Sequence, residues 1–317
     1  MAKRITPLDP EESLALRAAW LHYAGGLTQA AVAKRLGLPS VKTHRLIARA
    51  VAGGAVKVSI DGDIVECAML EDQLCSRFGL DYCEVAPDLG EEGLPLRALG
   101  LAGAGFLRRE IESGEHSIIG LSHGRTLASA VQQMPRLEAS HMSFVSLLGG
   151  LTRNYAANPH DVMHRIADKT GAQAYLMPVP FFANSAEDRE VLLAQRGVRE
   201  VFEMSNNAAL KIVGVGTLDA DAQLVTSGMM ETREIMEIKA EGGVGEMLGH
   251  FFDDQGRVLH TTLTSRTLGV KLNGPAKSRI VAIAGGQVKI AAIHAVLLSA
   301  RLKGLITDER TARALVG

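Results

Sequence analysis

The sequence predicts a small, basic, helical head joined to a larger, mainly parallel α/β body. Three observations carry this. Residues 1–60 hold nine Lys and Arg against three acids, a net of +6, while the remainder carries −7. Within that head, apolar positions recur at helical spacing and are cut by Gly25-Gly26, Gly37 and Gly53-Gly54. Beyond Leu70, short apolar runs alternate with helical segments, the pattern of a parallel sheet covered on both faces. The 317 residues suffice for about two domains, expected at 1–66 and 67–317. No run of about 18 uncharged apolar residues and no signal-peptide core is present, so a cytoplasmic protein with no membrane partner is expected. Cys67, Cys75 and Cys83 stand eight apart with no C-x-x-C pair, which points to reduced thiols and no metal framework.

In the head, Leu14, Ala15, Ala18, Ala19, Leu21 and Ala24 follow a helical period that Gly25-Gly26 ends. Thr28 is an N-cap for a helix over Gln29–Leu36, and Gly37 supplies the turn. A third helix, about Ser40 to Ala52, is expected to bury Val41, Leu46, Ile47 and Ala50. Two helices joined by a short Gly turn form a helix-turn-helix unit, whose second helix enters the DNA major groove. Its outward positions are read as Ser40, Lys42, Thr43, His44 and Arg45, donors suited to base edges and phosphates. Thr28 and Gln29, at the start of the preceding helix, are expected near a phosphate. Ala55–Ile60, Asp61-Gly62 and Asp63–Glu66 read as a hairpin, hence a wing.

In the body, strands are expected at Tyr82–Ala86, Ser117–Leu121, Ser143–Leu148, Ala174–Pro178, Ala209–Val215, Val258–Leu259 and Ile280–Ala284. Helices fit at Leu70–Arg77, Leu96–Glu110, Thr126–Met134, Pro159–Thr170, Ala186–Arg196, Val198–Asn207 and Gln287–Ala300. Ligands of such sheets sit at the carboxyl ends of the strands, so the residues just after each strand are the candidates.

The sharpest is the strand-to-helix turn Ser122-His123-Gly124-Arg125-Thr126, whose amides and hydroxyls suit an anion or a polyol and whose Arg125 adds a forked donor. The same stretch matches G-x-S-x-G, the hydrolase nucleophile elbow, but no oxyanion loop accompanies it. Gly149-Gly150, Gly214 and Gly216 with Thr217 and Asp219, and Gly285-Gly286 with Lys289 follow three further strands. Glu246, among glycines, is either an acceptor for ligand hydroxyls or an exposed loop carboxylate. His160 and His164 share a helix face but lack a third metal ligand. Several Gly-rich strand ends, each beside a polar group, favour a sugar-sized site.

These motifs carry a resemblance. LTQAAVAKRLGLPSVKTHRLIARAVAGGAVKVSI, SHGRTL, VGVGTLD, GGVGEMLGHFFD, AGGQVKIAAI and LITDERTA stand in the order seen in SorC-type bacterial transcriptional regulators. The resemblance covers essentially the whole chain, and within the family its texture is most similar to regulators of erythritol catabolism. Pro39 stands where the family usually has a Ser or Thr cap, so Ser40 is expected to take that role. The resemblance implies a body like that of glucosamine-phosphate deaminases, ribose-phosphate isomerases and CoA transferases, with catalysis absent. It places the effector loop on Ser122–Thr126, the acidic residue on Glu246 and the lysine on Lys289. It also implies a sugar- or polyol-responsive repressor of a carbohydrate-catabolic operon, with no cofactor. Double-stranded operator DNA, a sugar, polyol or sugar-phosphate effector, and further copies in a dimer or tetramer are its expected partners. Two alternatives stand beside it. One is a sugar-phosphate isomerase or deaminase with a DNA-binding appendage, for which Glu246 and Asp219 are the candidate bases; the other is a structural nucleoid protein.

Overall fold

The computed structural model describes residues 10–56, 64–150, 162–219, 222–272 and 278–317. The chain forms two compact units, Met1–Gly62 and Asp63–Gly317.

The first unit holds α1 (Pro10–Tyr23), α2 (Gln29–Leu36) and α3 (Ser40–Ala52). Its core is built from small residues of α1 (Ala15, Ala18, Ala19) against Val32, Leu46, Ile47 and Ala50. Thr28 Oγ1 accepts the Ala31 N–H at 3.2 Å, the N-cap expected of it. Gly37 turns the chain at φ 66°, a left-handed conformation cheap only for glycine. Three details of α3 differ from expectation. Pro39, not Ser40, precedes the first turn; its fixed φ is compatible with that place, but it has no capping side chain. Val41 is 75% exposed. Thr43 is fully buried, with its hydroxyl donating to the Pro39 carbonyl at 3.2 Å. It lies one turn before Leu46 and Ile47 and therefore shares their inward face. The expected wing also fails in its second arm: Ile64–Glu66 begin a helix, α4 (Ile64–Phe78). Residues 57–63 of that hairpin lie outside the described residues.

After α4 the second unit runs through β1 (Tyr82–Ala86), α5 (Leu96–Ser113), β2 (Ile118–Leu121), α6 (Arg125–Gln133), β3 (Ser143–Ser146), α7 (Met163–Thr170) and β4 (Gln173–Tyr175). It continues with α8 (Ala186–Ala194), α9 (Arg196–Asn207), β5 (Leu210–Val213), β6 (Gly216–Thr217), α10 (Gln223–Thr226) and α11 (Thr232–Ala240). The last part is β7 (Gly243–Met247), β8 (His250–Asp253), β9 (Val258–Leu259), β10 (Arg279–Ile283), α12 (Ile290–Leu298), β11 (Gly304–Asp308) and α13 (Glu309–Val316).

Among the described residues seven strands pair in parallel, in the order β1-β11-β10-β5-β2-β3-β4. Side chains alternate across this sheet with period two. Leu210, Ile212, Val281 and Ile283 enter one core with Phe106, Leu107 and Phe144. Val213, Ala282 and Leu305 enter the other with Met247, Phe251, Phe252 and Val296.

A second, antiparallel sheet, β6-β7-β8-β9, was not foreseen from the sequence. The stretch around Glu246, expected as a Gly-rich loop, is its central hairpin. Leu248 and Gly249 turn it with φ 56° and 77°, the positive pair that a two-residue hairpin turn requires. Val258–Leu259 is a strand, but of this sheet.

Lys211 is 1% exposed on β5. Its ammonium donates to the Asn206 and Ala208 carbonyls, at 3.0 and 2.8 Å, and to Ser278 Oγ. It thereby serves the carbonyl-rich end of α9. Burial pushes its pKa down to about 8. Lys211→Met keeps the stem but strands these acceptors, and should cost about 2 kcal/mol in urea unfolding.

Candidate functional site

The strand order reverses direction between β2 and β5. From β2 the chain proceeds to β3 and β4 on one side; from β5 the sheet continues to β10 and β11 on the other. At such a seam no crossover covers the carboxyl ends of the strands, and a crevice opens there. A small cleft of about 60 Å³ occupies that position.

Four segments meet at the cleft. The turn after β2 and the start of α6 supply Ser122, His123, Gly124, Arg125 and Thr126; the turn after β5 and β6 supply Gly214 to Thr217; β7 supplies Glu246; and the helical turn after β10 supplies Lys289. The turns are tied together. Ser122 Oγ accepts the Gly214 N–H at 3.3 Å, and Thr126 Oγ1 donates to the Ile283 carbonyl at 3.0 Å. Ser122 Oγ also reaches the His123 carbonyl at 3.3 Å. Both contacts are to backbone, whereas a nucleophilic serine needs a base within hydrogen-bond reach.

Glu246 is 7% exposed, and its Oε1 accepts the Gly249 N–H at 2.6 Å. It faces Gly216 across the sheet. A Cβ at Gly216 would lie 2.6 Å from Glu246 Oε2, so only glycine leaves room for the carboxyl there. Lys289 Nζ donates to the Val215 carbonyl at 2.7 Å. Burial pushes Glu246 up to about 7, against the opposing pull of the Gly249 N–H and the Lys289 charge. Burial, aided by the Arg125 charge, brings Lys289 down to about 8.

The sequence-expected effector residues thus divide. Ser122, His123, Gly124, Arg125, Thr126, Glu246 and Lys289 come together at the cleft. Gly149, Gly150 and Asp219 are not among its lining residues. The Gly149 N–H donates to the Leu268 carbonyl at 2.8 Å, and its Cα packs so tightly that a Cβ would stand 2.2 Å from the Pro180 carbonyl oxygen. Gly150 follows it, half-buried. Asp219 is half exposed and paired with Lys239 at 3.3 Å.

Sequence reasoning missed the apolar wall of Leu148, Phe181 and Leu248, and missed Gln223, whose Oε1 accepts the Arg125 N–H at 3.3 Å. It also missed Asp308. This buried carboxylate accepts the Gly286 N–H at 3.0 Å and so holds the turn from which Lys289 projects. Only the position of Asp308 directly after an apolar run, the mark of a helix N-cap, could have signalled it.

On the head, Gln29 and His44 meet, with Oε1 and Nδ1 3.2 Å apart. Thr28, Ser40, Lys42 and Arg45 are exposed, and Thr43 alone of the expected contacts is buried. Of the two histidines considered for a metal, His164 is exposed on α7 and His160 lies outside the described residues.

The Glu246 carboxyl holds its proton in the folded chain at pH values where the unfolded chain has lost it. Stability from this group is therefore full below about 4.5 and is lost as pH rises through about 7. Glu246→Gln, a neutral isostere, should gain in melting temperature relative to the parent as pH is raised across that window. A constant difference would show that the carboxyl is ionised throughout.

Residues 62–317 match the Sugar-bind family of sugar-binding domains. The chain is 69% identical over 309 residues to the Erythritol catabolism regulatory protein EryD of Brucella abortus (strain 2308), covering 98% of each. It is 34% identical over 312 residues to the Transcriptional regulator LsrR of Klebsiella pneumoniae, covering 96% of this chain and 93% of the relative. The full-length Sorbitol Operon Regulator SorC of Klebsiella pneumoniae superposes with a TM-score of 0.69 at 26% identity, over 98% of this chain and all of that one. Family match, whole-length relatives and shared architecture agree: this chain belongs to the SorC-type family of sugar-binding transcriptional regulators.

Proposed function

We propose that this regulator responds to a short polyol, of the erythritol type named for its 69%-identical relative, and represses a carbohydrate-catabolic operon. The observation that carries the reading is the convergence of Ser122–Thr126, Glu246 and Lys289 at the carboxyl ends of the strands. Polyol hydroxyls both give and receive hydrogen bonds. A lining with an ammonium, a carboxyl of pKa about 7 and several hydroxyls can meet them in either sense. Operator DNA is gripped by the helix-turn-helix of α2 and α3 through Gln29, Ser40, Lys42, His44 and Arg45. Thr28 and Thr43 act structurally, one as a cap and the other inside the core. Effector and operator each favour a different state of the protein, and each weakens the other by the same coupling free energy.

In this reading residues 1–66 read DNA and residues 67–317 bind effector and carry the contacts of a cytoplasmic dimer or tetramer. The body's sheet is that of the sugar-phosphate isomerase and deaminase group with the chemistry lost. No observation favours turnover. Of the two candidate bases, Asp219 is paired with Lys239 outside the cleft, and the Glu246 carboxyl is engaged by the Gly249 N–H.

Two experiments test the two halves separately. Lys42→Ala and Arg45→Ala should each weaken operator binding about tenfold and lower the salt slope by about one, with the thermal response to effector intact. Unchanged gel shifts for both would remove α3 from the interface. Glu246→Ala and Lys289→Ala should abolish the thermal shift produced by erythritol while leaving operator binding in place. In the parent, an effector at 100 times its dissociation constant should add about 2.7 kcal/mol. Full effector affinity in both variants would displace the site from this cleft.

A further inference from the structure

The short helix α10 stands at the rim of the cleft, and its backbone is anchored from below. Leu224 is buried in the main core together with Met229 and Met230. Ser227 closes the turn, both its N–H and its hydroxyl donating to the Gln223 carbonyl, at 2.9 and 2.6 Å. Gln223 and Leu224 of α10 line the cleft, and the polar one of the two is Gln223. Its Oε1 takes the Arg125 N–H at 3.3 Å and lies 3.6 Å from where a Cβ on Gly124 would stand.

That N–H belongs to the first turn of α6, a nine-residue helix that begins at the cleft. The first amides of a helix have no partner within it and, with the helix dipole, favour a negatively charged oxygen. Arg125 and Lys289 flank the same place with positive charge. Left to themselves, these groups describe a phosphate or carboxylate seat. The chain instead puts a neutral oxygen of its own there.

We propose that Gln223 is a specificity-determining residue which, by taking the Arg125 N–H at the N-terminus of α6 with its amide oxygen, biases the cleft against anionic ligands and toward uncharged polyols. The inference rests on the reading of this cleft as the effector site. An ester phosphate that uses the Arg125 amide must first expel Gln223 Oε1, which then has to find another donor. A polyol needs no such exchange, because its hydroxyls can bond to Glu246, Lys289 and Ser122 with Gln223 in place.

Calorimetric titration of the full-length protein with erythritol and with erythritol 4-phosphate tests this, the quantity read being the ratio of the two affinities. Gln223→Ala should raise the ratio in favour of the phosphate about tenfold or more, since a hydrogen bond to a charged group is regained. Gln223→Glu, which sets a carboxylate in the same place, should lower it. Ligand-free melting curves matching the parent's verify that both variants are folded. An unchanged ratio in both variants, or a fall in Gln223→Ala, overturns the proposal, the latter because Gln223 would then be a direct ligand of the phosphate. Failure of the parent to bind either compound overturns the effector reading of the cleft itself, whereas erythritol binding with an unmoved ratio removes only the role of Gln223.

Discussion

Parallel pairing of β2 with β5 is the constraint on which the site depends. The Ile119–Leu210, Gly120–Lys211 and Leu121–Ile212 register sets the two strands side by side at the middle of the sheet. Strand order then runs outward from this pair in opposite senses, so no connection can be laid across its carboxyl end. The antiparallel sheet begins directly beyond β5, at Gly216, and its second strand returns Glu246 to the seam. Crevice and buried carboxyl thus meet at one topological reversal.

Within the seam, electrostatics work against the fold. Glu246 and Lys289 are both taken out of water, and burial shifts each toward its neutral form, to about 7 and about 8. Between those values both groups are mainly charged, and each is compensated by the other's charge and by one peptide group, an N–H for Glu246 and a carbonyl for Lys289. Replacing a buried charged pair by hydrocarbon of similar volume is often neutral or stabilising. Perturbed ionisable groups gathered in a cleft are characteristic of functional sites, where a ligand's own donors and acceptors complete what the protein leaves partial. Asp308 contributes from behind. By holding the Gly286 N–H it fixes the turn that aims Lys289, so a residue outside the lining sets the position of one within it.

Much of this protein follows from its sequence alone. The +6 head with its Gly-punctuated helices, the Thr28 cap, the Gly37 turn and the alternation of strands and helices are local matters of charge, φ preference and hydrophobic period. So were the turns after β2 and β10, because a Gly-rich strand-to-helix junction advertises itself within a few residues. Tertiary structure decided the rest. Thr43 reads as a surface donor by composition, yet one residue of helical phase turns it inward with Leu46 and Ile47. Glu246 could be an exposed loop residue or a buried acceptor until the positive φ values of Leu248 and Gly249 made its surroundings a hairpin. Gly149-Gly150 and Asp219 follow strands as Gly285-Gly286 does, but the close approach of Pro180 and the pairing with Lys239 engage Gly149 and Asp219 elsewhere. Gln223 carries no local mark at all: it meets Arg125 across 98 residues of sequence, a separation that no pattern of neighbouring residues can encode.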